Sequence, residues 1–253
     1  DLPYRIQTSA GHRKYLCSGI YMPSVTTVLS ATESEKSKAG LRNWQKNNPG
    51  ALEAASTRGS AIHLGCENYL RGLDPGVPED YLDFWNGMSP YLDWFDTIHW
   101  SERPLRPDWN HLRSEDREVA FVWSTEHRYA GCPDLISEIG GVRVIADFKT
   151  SNAPYCASFP DRGDRIGFGG YRKYTKCAQQ MAAYRYALNE RTGFLCEAAL
   201  IIVSTPETTQ GIFIDGDQLA LHESRFLKRC QQFHEIDNET TDCSTQKLQE
   251  QAK

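Results

Sequence analysis

Two aspartates and a lysine, Asp134, Asp147 and Lys149, are brought together if one tight turn forms between them. Gly140-Gly141, flanked by apolar and polar residues in alternation, is a strong two-residue hairpin signal. If it turns, Ile139 faces Val142, and the numbers of facing residues add to 281. Asp134 then faces Asp147 on one side of the sheet, with Cβ atoms about 5 Å apart. Lys149 lies two residues beyond Asp147 and points the same way. Two carboxylates this close repel unless a cation or a proton lies between them. Oxygen ligands suit Mg²⁺ or Mn²⁺. A lysine beside such a cation can orient or help deprotonate an attacking water, or stabilise charge developing on a phosphate. The plainer reading leaves both acids on the solvated face of an ordinary hairpin, where acids usually are. Against it stand Leu135, Ile136, Val144, Ile145, Ala146 and Phe148, which make both strands almost wholly apolar, as in a buried sheet. On spacing alone the two readings stand level.

Several elements must hold these residues in place. Ser24 or Thr26 is a plausible helix N-cap, followed by a basic run of Lys36, Lys38, Arg42 and Lys46. Ile62, Cys66, Tyr69 and Leu70 recur at helical spacing, so residues 61–70 form an amphipathic helix. His63 and Glu67, four apart, share a face of it. Residues 81–109 hold eight aromatics, whose spacing predicts two helical pieces divided around Pro90 and reaching Ile98. Strands are expected at 118–123, at 129–139 and from Val142 to Lys149. A glycine-rich basic loop over 160–173 precedes a helix at 174–189, an apolar strand at 196–204, a short strand at 211–214 and a closing helix from Asp217 to His234. This order predicts a mixed α/β (α+β) fold with a helical N-terminal part. One integrated unit is expected, divided into residues 1–115, a core at 116–235 and a polar tail at 236–253.

Pro133-Asp134 followed by Asp147-Phe148-Lys149 resembles the signature of the PD-(D/E)XK nucleases. Arg58-Gly59-Ser60-Ala61-Ile62-His63 resembles the RGxxxH motif that precedes it in the branch of RecB, Cas4 and the mitochondrial genome maintenance exonuclease. Gln180-Met181-Ala182-Ala183-Tyr184 is similar to the QxxxY motif of the same branch. The resemblance spans residues 58–184 and implies a restriction-endonuclease-like core: a central mixed sheet flanked by helices. It implies a metal held by His63, Asp134, Asp147 and the carbonyl of Phe148, with Lys149 as catalytic lysine. It also implies that Gln180 and Tyr184 position DNA or the lysine. Glu118 resembles an acid that some relatives place near a second metal, and Glu67 is a candidate to orient His63 from behind. Lys173, Lys176, Gln180 and Tyr184, at steps of three and four, form a stripe suited to a phosphate backbone. Arg162, Arg165 and Arg172 extend that basic character along the glycine-rich loop, with a DNA-tracking or lid role weighed against mere exposure.

The chain has 253 residues, 40% of them hydrophobic, and a formal net charge of −5. That balance argues against coating nucleic acid through bulk charge and leaves a local basic groove open. No apolar run approaches the roughly 20 residues of a membrane span, so no membrane partner is expected. The eight cysteines are nowhere closer than 13 residues, which leaves no CxxC-type pair for zinc or an iron–sulfur cluster. Cas4-type relatives often carry such a cluster; here it is expected to be absent. Mostly reduced cysteines suit an intracellular protein, in a bacterial or phage-infected cytoplasm or the mitochondrial matrix. The expected activity is Mg²⁺- or Mn²⁺-dependent DNA exonuclease action on single strands or open ends, in repair, recombination or phage and genome processing. A structure-specific endonuclease with the same core and a non-catalytic DNA-binding relative are the alternatives.

Overall fold

A computed structural model describes residues 3–7, 13–113 and 120–251, with side chains except at 6–7, 165–166 and 238–251. Strands β1 (Tyr4–Gln7), β2 (Arg13–Cys17) and β3 (Ile20–Pro23) form a small antiparallel sheet. Helices α1 (Val25–Ala31), α2 (Glu35–Asn47), α3 (Ala51–Leu70) and α4 (Leu82–Leu92) follow, then strand β4 (Thr97–Ser101). Strands β5 (Val122–Ser124) and β6 (Tyr129–Gly131) make a separate two-stranded ribbon. The main sheet adds β7 (Leu135–Ile139), β8 (Val142–Thr150), β9 (Ala198–Ser204) and β10 (Thr209–Ile214) to β4, in the order β10-β9-β8-β7-β4. Helix α5 (Arg165–Thr192) links β8 to β9, and α6 (Gly216–Gln251) closes the chain. The architecture is mixed α/β, a central mixed sheet flanked by helices.

The β7–β8 hairpin turns at Gly140-Gly141, whose φ values of 57° and 80° are the paired positive angles a tight primed turn demands. Its register runs from Ile139↔Val142 to Leu135↔Ala146 and carries on toward Asp134 and Asp147. β8 pairs in parallel with β9, which requires a crossover, and α5 supplies it. All seven residues of β9 are buried, because helices cover both faces of the sheet. Alternation along β8 divides the core in two. Val144, Ala146 and Phe148 pack with Ile62, Cys66, Phe84 and Met88 of α3 and α4. Ile145 packs on the opposite face with Met181, Ala182 and Tyr184 of α5 and with α6. Asp147 and Lys149 share the α5 face, and α3 flanks the same end of the sheet from the other side.

The structure departs from the sequence expectations at several points. The aromatic segment forms one α-helix, α4, with Pro90 in its last turn; Ile98 lies in strand β4 at the sheet edge, and Trp109 lies in a 3-10 helix at Pro107–Leu112. The strand expected over 129–139 is broken at Cys132-Pro133-Asp134. There the Trp100 indole N–H donates to the Pro133 carbonyl (2.7 Å), fixing the segment just ahead of Asp134. Residues 165–173 are helical, because Asp164 caps α5 by accepting from the Gly167 amide (2.8 Å). Gly170 serves close packing, since a Cβ there would meet the Pro154 carbonyl at 2.9 Å. α6 continues to Gln251, through most of the segment expected as a polar tail. No described helix is long and apolar enough to cross a membrane.

Candidate active site

The site lies between α3 and α5 in a cleft of about 820 Å³. His63, on the fourth turn of α3, directs Nε2 at the Phe148 carbonyl (2.7 Å), so that nitrogen carries a proton and donates. Its Nδ1 faces Asp134 Oδ2 (3.5 Å) and Glu102 Oε1 (3.6 Å). His63, Glu102 and Asp134 each place a ligand atom within 4.8 Å of the others. Asp134 is locked in turn by the Phe148 amide, which donates to its Oδ2 (3.0 Å). Asp147 is buried; Lys149 pairs with its Oδ2, and the Cys177 thiol of α5 donates to the same oxygen (3.1 Å).

Glu102 is the residue that sequence reasoning missed. A bulge between Ile98 and Trp100 shifts the β4–β7 register by one residue, so that Ser101 faces Leu135 and Glu102 falls opposite Asp134. The Glu102 amide donates to the Asp134 carbonyl (2.9 Å), and its φ is 55°. The only sequence signal was the Thr97–Ser101 alternation ending on an acid, and the aromatic spacing masked it.

The charges couple tightly. Burial alone would lower the His63 pKa, but the Asp134 charge and the Glu102 hydrogen bond override it and hold the imidazole near 9. Burial raises Asp134 to about 7, with His63 pulling it down and Asp147 pushing it up. Burial likewise opposes the charge on Lys149, yet the Asp147 carboxylate keeps its pKa well above the ordinary lysine value. Two features of the cleft fit a divalent cation. Asp147 Oδ1 is buried without a hydrogen-bond partner. The donors that converge in the cleft, the Glu102 and Asp134 carboxylates and the His63 imidazole, suit Mg²⁺ or Mn²⁺, and Asp147 is not part of that converging group. The proton on His63 Nδ1 stands where a cation would bring its positive charge, so the two compete. Because the folded pKa is raised, that proton stays through neutrality and leaves as pH rises through about 9. Mn²⁺ affinity accordingly increases from pH 6 toward 9. Asp134, with a pKa of about 7, also gives up its proton, so calorimetry in buffers of different ionisation enthalpy reads at least one proton released per ion at pH 7; no release contradicts this arrangement.

The other sequence candidates are distributed unevenly. Gln180 donates to the Tyr184 hydroxyl (3.2 Å), and both line the cleft. Gly131 sits under the Tyr184 ring, where a Cβ would come within 2.2 Å. The α5 stripe facing the site runs Lys173, Cys177, Gln180, Tyr184. Lys173 donates to Ser151 Oγ (2.9 Å) just past Lys149. Lys176 turns away to Ser30 (3.4 Å) and Glu33 (3.9 Å), and Arg172 also pairs with Glu33 (3.3 Å). Glu67 lines the cleft with Arg71 as its ion-pair partner, and Arg71 in turn donates to the Ser101 carbonyl (2.9 Å). Arg162 is exposed on the loop before α5; the Arg165 side chain and all of Glu118 lie outside the described residues. Four arginines that the sequence reading did not single out, Arg5, Arg13, Arg71 and Arg103, also line the cleft.

Clustered carboxylates, an imidazole and a half-buried lysine at the end of a mixed sheet define a class: α/β proteins with an acidic, lysine-bearing cleft. The chain belongs to the PD-(D/E)XK nuclease superfamily, whose family model matches residues 36–247. Among curated proteins, none matches the chain. Two solved structures are similar to it. One, designated SSO0001, is 15% identical, with a TM-score of 0.27, over 43% of this chain and 41% of that one, so the chain spans about two-fifths of its length. The other, an exonuclease candidate from Eubacterium rectale, is 13% identical, with a TM-score of 0.38, over 69% of this chain and 68% of that one.

Proposed function

We propose that the chain is a Mg²⁺- or Mn²⁺-dependent DNA exonuclease acting on single-stranded DNA or open ends, in intracellular repair, recombination or phage and genome processing. It would stand near the RecB, Cas4 and mitochondrial exonuclease branch of its superfamily. One observation carries the reading: His63, Glu102 and Asp134 converge within 4.8 Å in a cleft that also holds Lys149. Asp134, Asp147, His63 and the Phe148 carbonyl, with Glu102 beside them, would hold the cation. Bound there, it would supply positive charge against the phosphate and acidify the attacking water.

The remaining steps belong to the chain's own residues. Lys149, kept protonated by Asp147, presents its ammonium to the phosphate oxygens and meets the charge that grows as the P–O bond breaks. The Tyr184 hydroxyl, oriented by Gln180, gives the backbone a polar stop on the α5 side. Arg5, Arg13, Arg71 and Arg103 bind flanking phosphates without reading bases. End-labelled oligonucleotides test the reading. With Mn²⁺ the labelled strands shorten, and EDTA stops the reaction; single strands and duplexes both left intact with Mn²⁺ contradict it.

A further inference from the structure

The two carboxylate oxygens of Asp147 are treated differently by their surroundings. Oδ2 receives both the Lys149 ammonium and the Cys177 thiol (3.1 Å). Oδ1 is buried and has no hydrogen-bond partner. A buried carboxylate oxygen left bare is costly, so it calls for a partner.

The next residue shows how close such a partner lies. Phe148 gives its amide to Asp134 (3.0 Å), and its carbonyl accepts from His63 (2.7 Å). Asp147 thus adjoins the peptide group that two of the three converging cleft donors grip. It stands outside that trio itself, so whatever fixes its carboxylate decides whether a cation held by the trio also meets Oδ1.

Helix α5 places Cys177 for that task. Cys177 is buried four residues before Met181, on the face of α5 that packs toward Ile145 of β8. Burial and the Asp147 charge push its thiol pKa well above the ordinary value, so the proton stays on sulfur. Unlike the Lys149 ammonium on the same oxygen, a thiol donates without adding positive charge beside a cation site.

We propose that Cys177 is a positioning residue, its thiol holding Oδ2 of Asp147 so that Oδ1 is presented to the divalent cation. The assignment rests on the nuclease reading and adds the residue that aims one of its aspartates. The plainer role for a buried cysteine is that of a small apolar filler.

Calorimetric titration of the full chain with Mn²⁺, without DNA, separates the two roles through a crossed pair of variants. Cys177→Ser keeps a donor and loses apolar character; Cys177→Val keeps apolar bulk and loses the donor. Cys177→Val weakens Mn²⁺ binding about ten-fold, Cys177→Ala does the same, and Cys177→Ser stays close to wild type. A mere filler gives the reverse order. In the metal-free protein, the infrared difference between wild type and Cys177→Ala shows an S–H stretch lowered by its hydrogen bond. The assignment is overturned if that band lies at the free-thiol position. It is overturned equally if Cys177→Val and Cys177→Ala bind Mn²⁺ as tightly as wild type, or if Cys177→Ser binds no tighter than Cys177→Val. Wild-type hydrolysis of DNA with Mn²⁺ is read separately. If the variants follow the expected order but wild type hydrolyses no DNA, the nuclease reading fails and the Cys177 assignment stands. If wild type binds no Mn²⁺, both fall.

Discussion

Lys149→Met lowers DNA cleavage by on the order of 10²–10³-fold while Mn²⁺ binding persists. The lysine ammonium is held charged by Asp147, so its proposed part is to meet negative charge on the phosphate, and methionine keeps the stem but removes that donor. Metal binding survives because no ligand atom is lost, and Asp147 is freed from its cationic partner. The metal-free protein melts at a lower temperature, since a nearly fully buried carboxylate then keeps only the Cys177 thiol as hydrogen-bond donor. Mn²⁺ restores part of that loss by binding the native state. Cleavage within a factor of three of wild type removes Lys149 from the mechanism.

Asp134→Asn has the opposite effect on stability and a similarly large effect on activity. The carboxylate faces His63 and lies beside Glu102 and Asp147, and burial raises its pKa to about 7. A folded pKa above the unfolded value of 3.8 means that ionised Asp134 costs the fold stability, growing as pH rises from 4 to 7. Asparagine keeps an oxygen for the Phe148 amide and removes the charge. The metal-free variant therefore melts higher than wild type at pH 8, and the gap closes toward pH 4. Adding Mn²⁺ stabilises wild type and leaves the variant unmoved, and cleavage falls by about 10³-fold or more, as expected when metal-assisted charge stabilisation is lost. An equal Mn²⁺-induced rise in both proteins takes Asp134 out of the metal site. This is the common bargain of active sites, where charge is crowded for function against the preference of the fold.

What could be read in the sequence was local. Gly140-Gly141 set the β7–β8 register because both of its residues take φ values that only glycine adopts freely. The apolar run at 196–204 announced a buried strand, which forms at Ala198–Ser204. The errors came where distant contacts override local preference. Gly167, Gly169 and Gly170 suggested a loop, yet Asp164 caps a helix there and Gly170 lets that helix press against residues 154–156. Ile98 fitted a helical pattern with Leu92 and Phe95, but pairing with Ser137 of β7 makes it a strand residue. Glu102 was invisible for the same reason: only a bulge in an edge strand, paired with residues more than thirty positions away, turns it toward Asp134. Lys176, read as part of a DNA-facing stripe, is held by Glu33 from the other side of α5, and Cys177 takes its place opposite Asp147.

In the proposed reaction this cleft hydrolyses DNA from an end with a divalent cation. A matched pair of single-stranded substrates, one linear and one covalently closed, tests it in a single assay with Mn²⁺. The expected result is loss of the linear strand to small products, an intact circle, and neither reaction in EDTA. A linear strand left intact, or a circle cut as fast as the linear strand, contradicts it.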